Sequence, residues 1–260
     1  MLMIALLASC STQRLVVLST NDTHSQIMPA VDSTGGYARR LGIIDTIRAH
    51  NPNVILVDDG DFSQGTVFFN FFKGDVEVAG MSAMKYDAVT FGNHEFDNGV
   101  DSLAKHLAKA TFPIVCANYQ VTGTALEPYV KPYIILKKGK LKVGIFGLGV
   151  NPVNLIADYN FKGITFLNPE ETANAIAEKL KKQEKCDVVI CISHSGTARN
   201  AKFSDWTIAK KSRYIDLICG GHSHEMINDK VSNADGKPVQ IIQTGKTGAN
   251  LGRVDMVFKK

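Results

Sequence analysis

The chain has no Cys-x-x-Cys pair, no basic run interleaved with aromatics, a single tryptophan and, at +4, almost no net charge over 260 residues. So small a charge without a cationic patch argues against a nucleic-acid partner. Cys116, Cys186, Cys191 and Cys219 lie in or beside apolar, β-rich runs. They read as small buried hydrophobes rather than a metal or disulfide framework. There is no internal repeat, low-complexity tract or linker, so one domain is expected, long enough for a sizeable core. No apolar run approaches the ~20 residues that cross a bilayer. What the chain does have is an ordinary globular composition, 45% hydrophobic and 21% charged, and seven histidines.

The N-terminal Met1-Leu2-Met3-Ile4-Ala5-Leu6-Leu7-Ala8-Ser9-Cys10 is a short apolar stretch followed by polar Ser11-Thr12-Gln13. It resembles a bacterial lipoprotein signal, which implies cleavage before Cys10, acylation of that cysteine, and export to the cell envelope on a lipid anchor. Residues 1–10 would then be the signal and its lipidation site, and residues 11–260 the working domain.

Further along, β-branched runs alternate with helical patterns. Leu15-Val16-Val17-Leu18-Ser19, Val54-Ile55-Leu56-Val57, Ala88-Val89-Thr90-Phe91, Phe112 to Asn118, Asp187 to Ser193 and Ile215 to Cys219 read as strands. Helices are expected from Gly35-Gly36 to about His50, around 65–73 and 75–85, from Val100 to Ala110, from Asn168-Pro169-Glu170-Glu171 onward, and near 201–212. Tyr133 to Leu136 and Leu141 to Gly147 flank a hairpin turn, and Val239 to Thr244 and Arg253 to Phe258 close the chain as alternating strands. This is an α/β pattern with more strands than one five-stranded sheet holds, so two packed sheets covered by helices are expected.

Polar side chains collect just past the strand ends: Asp22 and His24; Asp61; Asn93, His94 and Asp97; His194; His222 and His224. Open α/β sheets place their sites there. All are oxygen or imidazole donors, which suit Mn, Fe, Zn or Co and disfavour a thiolate zinc site. The spacing Asp22-x-His24 and His222-x-His224 would point both side chains of each pair one way on extended backbone. With His94 and Asp97 set aside, the seven candidate ligands are too many for one ion and about right for two divalent ions sharing a carboxylate. Such a pair clamps an in-line displacement at phosphorus and makes hydroxide available near neutral pH. His94 and Asp97 can form a pair in which the carboxylate orients the imidazole. Glu95, Asp58, Asp59 and Asn118 read as turn or supporting residues, His50 and His106 as structural histidines, and Arg39 and Arg40 as a solvated helix face.

Taken together, Asn21-Asp22-Thr23-His24, Asp59-Gly60-Asp61-x-x-Gln64-Gly65, Gly92-Asn93-His94-Glu95-Phe96-Asp97, His194-x-Gly196 and Gly220-Gly221-His222-Ser223-His224 resemble the five motifs of the calcineurin-like metallophosphoesterases. Phe96-Asp97 and the Gly-Gly before His222 are most similar to the secreted 5′-nucleotidase and UDP-sugar hydrolase branch. The resemblance implies a four-layer αββα sandwich of two mixed sheets. It implies Asp22, His24, Asp61 and His224 on one metal, and Asp61, Asn93, His194 and His222 on the other. His94, oriented by Asp97, would stabilise the transition state or protonate the leaving oxygen. Secreted nucleotidases of this branch carry a C-terminal domain that binds the base, and the sequence ends at Lys260 without that pattern. A separate C-terminal-type nucleotidase chain is therefore an expected partner beside a nucleotide or other small phosphoester substrate. Competing expectations are a phosphodiesterase or pyrophosphohydrolase acting on cyclic nucleotides or UDP-sugars, a thiosulfate-ester hydrolase, and a surface-anchored binding subunit.

Overall fold

A computed structural model describes residues 12–259; the signal-like stretch and Cys10 lie outside the described residues. The strands are β1 (Thr12–Thr20), β2 (Val54–Asp58), β3 (Ala88–Val89), β4 (Ile114–Val115), β5 (Tyr119–Gln120), β6 (Val130–Lys131), β7 (Tyr133–Lys138), β8 (Leu141–Leu148), β9 (Thr165–Phe166), β10 (Val188–Ser193), β11 (Leu217–Gly220), β12 (Met226–Ser232), β13 (Pro238–Thr244) and β14 (Gly252–Lys259). The helices are α1 (Tyr37–His50), α2 (Val67–Phe72), α3 (Asp75–Met84), α4 (Val100–Leu107), α5 (Pro169–Glu178) and α6 (Asp205–Lys211).

Two six-stranded mixed sheets form, in the orders β14-β1-β2-β3-β4-β6 and β12-β13-β11-β10-β8-β7, with β5 and β9 as a small separate pair. The inner strands are parallel, and β2 and β10 are buried along their whole length. Their unbroken Val/Ile/Leu runs have that cause, since strands covered on both faces have no reason to alternate. Between the sheets, Leu15, Val17, Ile55 and Val57 meet Ile145, Val188, Ile190 and Leu217 in one apolar cluster. Ile44, Met81 and Leu103 seal the outer face of the first sheet. Ala173, Ala177 and Ile208 seal that of the second. The architecture is thus the expected αββα sandwich. Among the described residues no helix is long and apolar enough to cross a membrane.

The elements follow local chemistry. Asn168 caps α5 by accepting from the Glu170 and Glu171 amides, with Pro169 in the first turn. Ser204 and Thr207 form a reciprocal capping box on α6. The closing strands do not pair with each other: β13 lies between β11 and β12 in the second sheet, whereas β14 runs antiparallel to β1 in the first. The strand β12 has no counterpart in the sequence reading. It is a largely exposed edge carrying Asp229 and Lys230, without an apolar run to betray it.

Register decides where the site falls. Thr20 pairs with Asp58 and Asp58 with Val89, so the loops leaving β1, β2 and β3 emerge side by side. Ser193 pairs with both Leu148 and Gly220, which brings the loops after β8, β10 and β11 together on the second sheet.

Candidate metal centre

All seven expected ligands reach the common rim of the two sheets. Asp22, His24 and His224 form one group whose donor atoms lie within 4.8 Å of one another, and Asp61, His194 and His222 form a second. Asn93 joins the second group through its Oδ1, 3.1 Å from His222 Nδ1. His24, Asp61 and His94 are as close to one another, which puts His94 between the two groups.

The expected extended backbone within the Asp-x-His and His-x-His pairs is not found. Asp22, His24, Asp61, His222 and His224 all have left-handed backbone, with φ of 49°, 44°, 55°, 76° and 57°. Such conformations cost about 1–2 kcal/mol each for residues with a Cβ. Tight turns, rather than alternation along a strand, aim the donors. One consequence is that His222 and His224, two residues apart, enter different groups.

Three features suit the centre to a cation. His194 Nδ1 is 2.7 Å from the Asp59 carbonyl oxygen, which can only accept, so Nδ1 carries the proton. Its Nε2 then faces Asp61 Oδ2 at 3.0 Å, a gap that demands positive charge, as a proton or as a cation. Likewise His24 Nε2 faces His224 Nε2 at 3.0 Å, and His224 Nε2 is 3.2 Å from Asp22 Oδ1. Asp22 Oδ1, His24 Nδ1 and His194 Nε2 are buried without a hydrogen-bond partner, an arrangement that is costly unless a cation lies among them. The electrostatics agree. Burial lowers the His194 pKa, yet Asp61 and Asp22 overcome it and hold it at about 10. Burial would raise Asp61, and His194 beside it holds it below the usual carboxylate range instead. Oxygen and imidazole donors that crowd around missing positive charge fit divalent ions.

Supporting residues fix several of the candidate ligands. Asn21 Nδ2 donates to Asp22 Oδ2 at 2.7 Å, and the His222 amide donates to the same oxygen at 2.9 Å. The His94 amide donates to Asp61 Oδ1 at 2.9 Å. Glu95, fully buried, accepts from the amides of Asp61, Ser63 and Gly92 and so staples the second and third ligand loops together. A Cβ on Gly92 would collide with Asp61 Oδ1, so only glycine allows that approach. Gln243 braces the His222–His224 turn, donating to the Gly221 carbonyl and accepting from the Glu225 amide. No sequence motif marks Gln243; its only signal is a polar residue at the end of an apolar strand.

The expected dyad is present: His94 Nδ1 is 3.0 Å from Asp97 Oδ2. That hydrogen bond raises the His94 pKa despite partial burial. Asn118 clasps Gly149 with both amide atoms, His50 bonds to the Thr46 carbonyl one turn back and His106 to Asp75 on α3, as expected of structural residues. Arg40 departs from expectation. It is 4% exposed rather than solvated, with its guanidinium 5.1 Å from the Tyr37 ring centroid.

Comparison with known proteins agrees with this geometry. The family model for calcineurin-like phosphoesterases matches residues 15–226. The snake venom 5′-nucleotidase of Crotalus adamanteus is 32% identical over 98% of this chain, which covers 47% of the venom protein. The crystal structure of a 5′-nucleotidase precursor from Thermus thermophilus superposes with a TM-score of 0.85 at 28% identity, over 94% of this chain and 51% of that one. The calcineurin-like phosphoesterase YfkN from Bacillus subtilis superposes at 0.80 with 29% identity, over 96% of this chain and 86% of that one. The chain thus spans about half the length of the nucleotidases it matches. With the family match covering most of the sequence and the site donors gathered on the rim, this chain belongs to the calcineurin-like phosphoesterase family.

Proposed function

We propose that the chain is a phosphomonoesterase for nucleoside 5′-monophosphates outside the cytoplasm, built on two divalent ions. Asp22, His24, Asp61 and His224 would hold one ion, and Asp61, Asn93, His194 and His222 the other, with Asp61 shared. The observation that carries this reading is the gathering of these side chains into groups within 4.8 Å, with Asp22 Oδ1, His24 Nδ1 and His194 Nε2 buried without a hydrogen-bond partner. Bound there, the ions supply charge neutralisation at phosphorus and acidify a water towards a pKa of ~7. The protein's own part is positional. Asp61 is locked through one oxygen by the His94 amide. His94, with Nδ1 turned to Asp97, presents Nε2 to the substrate, where its proton reaches the leaving oxygen.

The nucleotidase names of the relatives support a nucleotide substrate. The chain spans about half of their length, and a second reading is that a C-terminal-type nucleotidase region, on a separate chain or elsewhere, completes substrate recognition. The Leu7-Ala8-Ser9-Cys10 stretch supports export to a bacterial envelope with a lipid anchor on Cys10, residues 11–260 being the catalytic domain.

The test is hydrolysis of AMP and p-nitrophenyl phosphate by the purified chain, first stripped of metal and then supplied with Mn or Zn. Both esters should be cleaved only with metal. His94→Asn should lose at least about 100-fold in kcat at unchanged metal content; an unchanged rate would end the role given to His94. Failure on both esters with every ion would end the phosphoesterase reading. Cleavage of the aryl ester alone would favour the separate base-binding chain.

A further inference from the structure

Strand β1 gives the molecule two distinct ends. Thr20, where it closes, pairs with Asp58 beside the metal centre, and Thr12 opens it at the far end. At about 3.3 Å per residue the start of β1 stands about 25–30 Å from the centre. Cys10 precedes Thr12 by two residues. Two residues of chain span at most about 7 Å, so a lipid carried by Cys10 would hold the surface around Thr12 against a bilayer with no linker between.

The β7–β8 turn builds that surface. Strand β8 reaches the rim at Leu148, which pairs with Ser193, so its start at Leu141 lies at the opposite end. The Lys140 amide donates to Gln13 Oε1 at 2.9 Å, and a Cβ on Gly139 would press on Gln13 and Asn53. Residues 137–142 hold Lys137, Lys138, Lys140 and Lys142 and no acid. The acids beside them are engaged from below: Asp87 binds Lys138 at 2.9 Å, Asp187 accepts from the Lys142 amide at 2.9 Å, and Glu184 is 3.7 Å from Lys142 Nζ. Lys137 and Lys140 are exposed.

A cleft of about 290 Å³ runs along the same hairpin, lined by Ile135, Leu136 and Leu141 together with Lys137, Lys140 and Lys142, and by no carboxylate or hydroxyl. An apolar floor edged by lysines suits a lipid headgroup layer, where the aliphatic stems cover apolar surface and the ammonium groups meet phosphates. Because β7 is the edge of the second sheet, no further strand covers it. Edge lysines also deter strand addition, a purpose that needs neither an apolar cleft nor their grouping at one end. The competing apolar surface, Val67, Phe71 and Phe72 on α2, follows β2 at the rim end and would turn the centre into a bilayer.

We propose that the β7–β8 hairpin, led by Lys137 and Lys140, is the face by which the chain rests on an anionic lipid surface, with the metal centre held outward at the other end of β1. The proposal rests on the reading of Cys10 as a lipid anchor and adds a fixed orientation to it: the anchor supplies attachment, and the hairpin decides which way the centre faces.

The test attaches the anchor chemically. The chain from Cys10 onward is coupled through that thiol to a maleimide-bearing lipid, the other four cysteines being buried. It is placed on vesicles of phosphatidylcholine alone, or of phosphatidylcholine and phosphatidylglycerol in equal parts. Lysine acetylation rates are then read by mass spectrometry, with exposed Lys73 at the end of α2 as the reference. Lys137 and Lys140 should react at least about fivefold more slowly on the anionic vesicles than on the neutral ones, and Lys73 equally on both. Lys137→Glu should return Lys140 towards its rate on neutral vesicles. Equal rates for Lys137 and Lys140 on the two surfaces would overturn the proposal, as would a slowing of Lys73 greater than theirs, which would put α2 against the bilayer. Acylation is read separately, as labelled palmitate entering the full chain in a bacterium and lost in Cys10→Ser. No incorporation would end the anchor reading and the proposal with it; incorporation without slowing of Lys137 and Lys140 would keep the anchor and overturn the orientation.

Discussion

Proton placement sets the chemistry at the scale of single residues. His94 and His194 each present Nδ1 to an oxygen, but the oxygens differ. The Asp59 carbonyl holds the Nδ1 proton of His194 and turns its Nε2 into the cluster of Asp61 and Asp22, whereas the Asp97 carboxylate favours the charged form of His94. One histidine is thereby prepared for a cation and the other to give up a proton. The Asp97 hydrogen bond is the largest influence on the His94 pKa and raises it. A general acid works below its pKa, so activity should persist to higher pH than an unassisted imidazole allows, and decline as pH rises through that value. Asp97→Asn removes the charge-assisted bond. The alkaline limb of kcat against pH should then move to lower pH, with kcat reduced about 10- to 100-fold and metal content unchanged. A limb that stays in place would remove Asp97 from the role of orienting His94.

At the scale of elements, function depends on turns that hold ligand loops at strand ends. Glu95 is the clearest case. Its two oxygens accept from Asp61 and Gly92 at 2.9 and 2.6 Å and from Ser63 at 3.0 Å. Burial, reinforced by Asp61, pushes its pKa up to about 7. Glu95→Gln keeps the shape but supplies a single acceptor oxygen, so an NH2 must face at least one backbone N–H. We expect a loss of about 1–3 kcal/mol in urea unfolding, together with weaker metal retention because Asp61 moves. Unchanged stability with full metal content would mean that the loops hold without the staple. The order of the motifs and the strand-end placement of every site residue were legible in the sequence, because buried strands announce themselves as apolar runs. The left-handed turns at Asp22, Asp61 and His222 were not, since Asp and His adopt positive φ more often than most side chains but mark it far less clearly than glycine. Nor was the burial of Arg40. That depends on a contact distant in sequence, where Gly248 leaves room for Arg40 Nη2 that a Cβ would fill.

At the scale of the whole molecule, the core and the centre arise separately. The apolar clusters between and outside the two sheets involve none of the ligands, so folding does not wait for metal as it does in a zinc finger. The rim carries the opposite balance: five candidate ligand residues in left-handed backbone and buried polar atoms without hydrogen-bond partners. Cations that bind the folded rim and not the unfolded chain must stabilise the fold by mass action, by about 2.7 kcal/mol at a hundredfold excess over Kd. For a chain of this length that corresponds to about 5–10 °C in Tm. The metal-stripped protein should therefore remain folded at 25 °C by near-UV circular dichroism, and gain that increment on adding Mn or Zn. Asp61→Asn should abolish most of the gain by weakening both groups at once, whereas Asp22→Asn should leave the group of Asp61, His194 and His222 able to respond. If chelation unfolded the chain outright, the core would prove insufficient without the centre. If metal left Tm unchanged, the rim donors would not constitute a metal site.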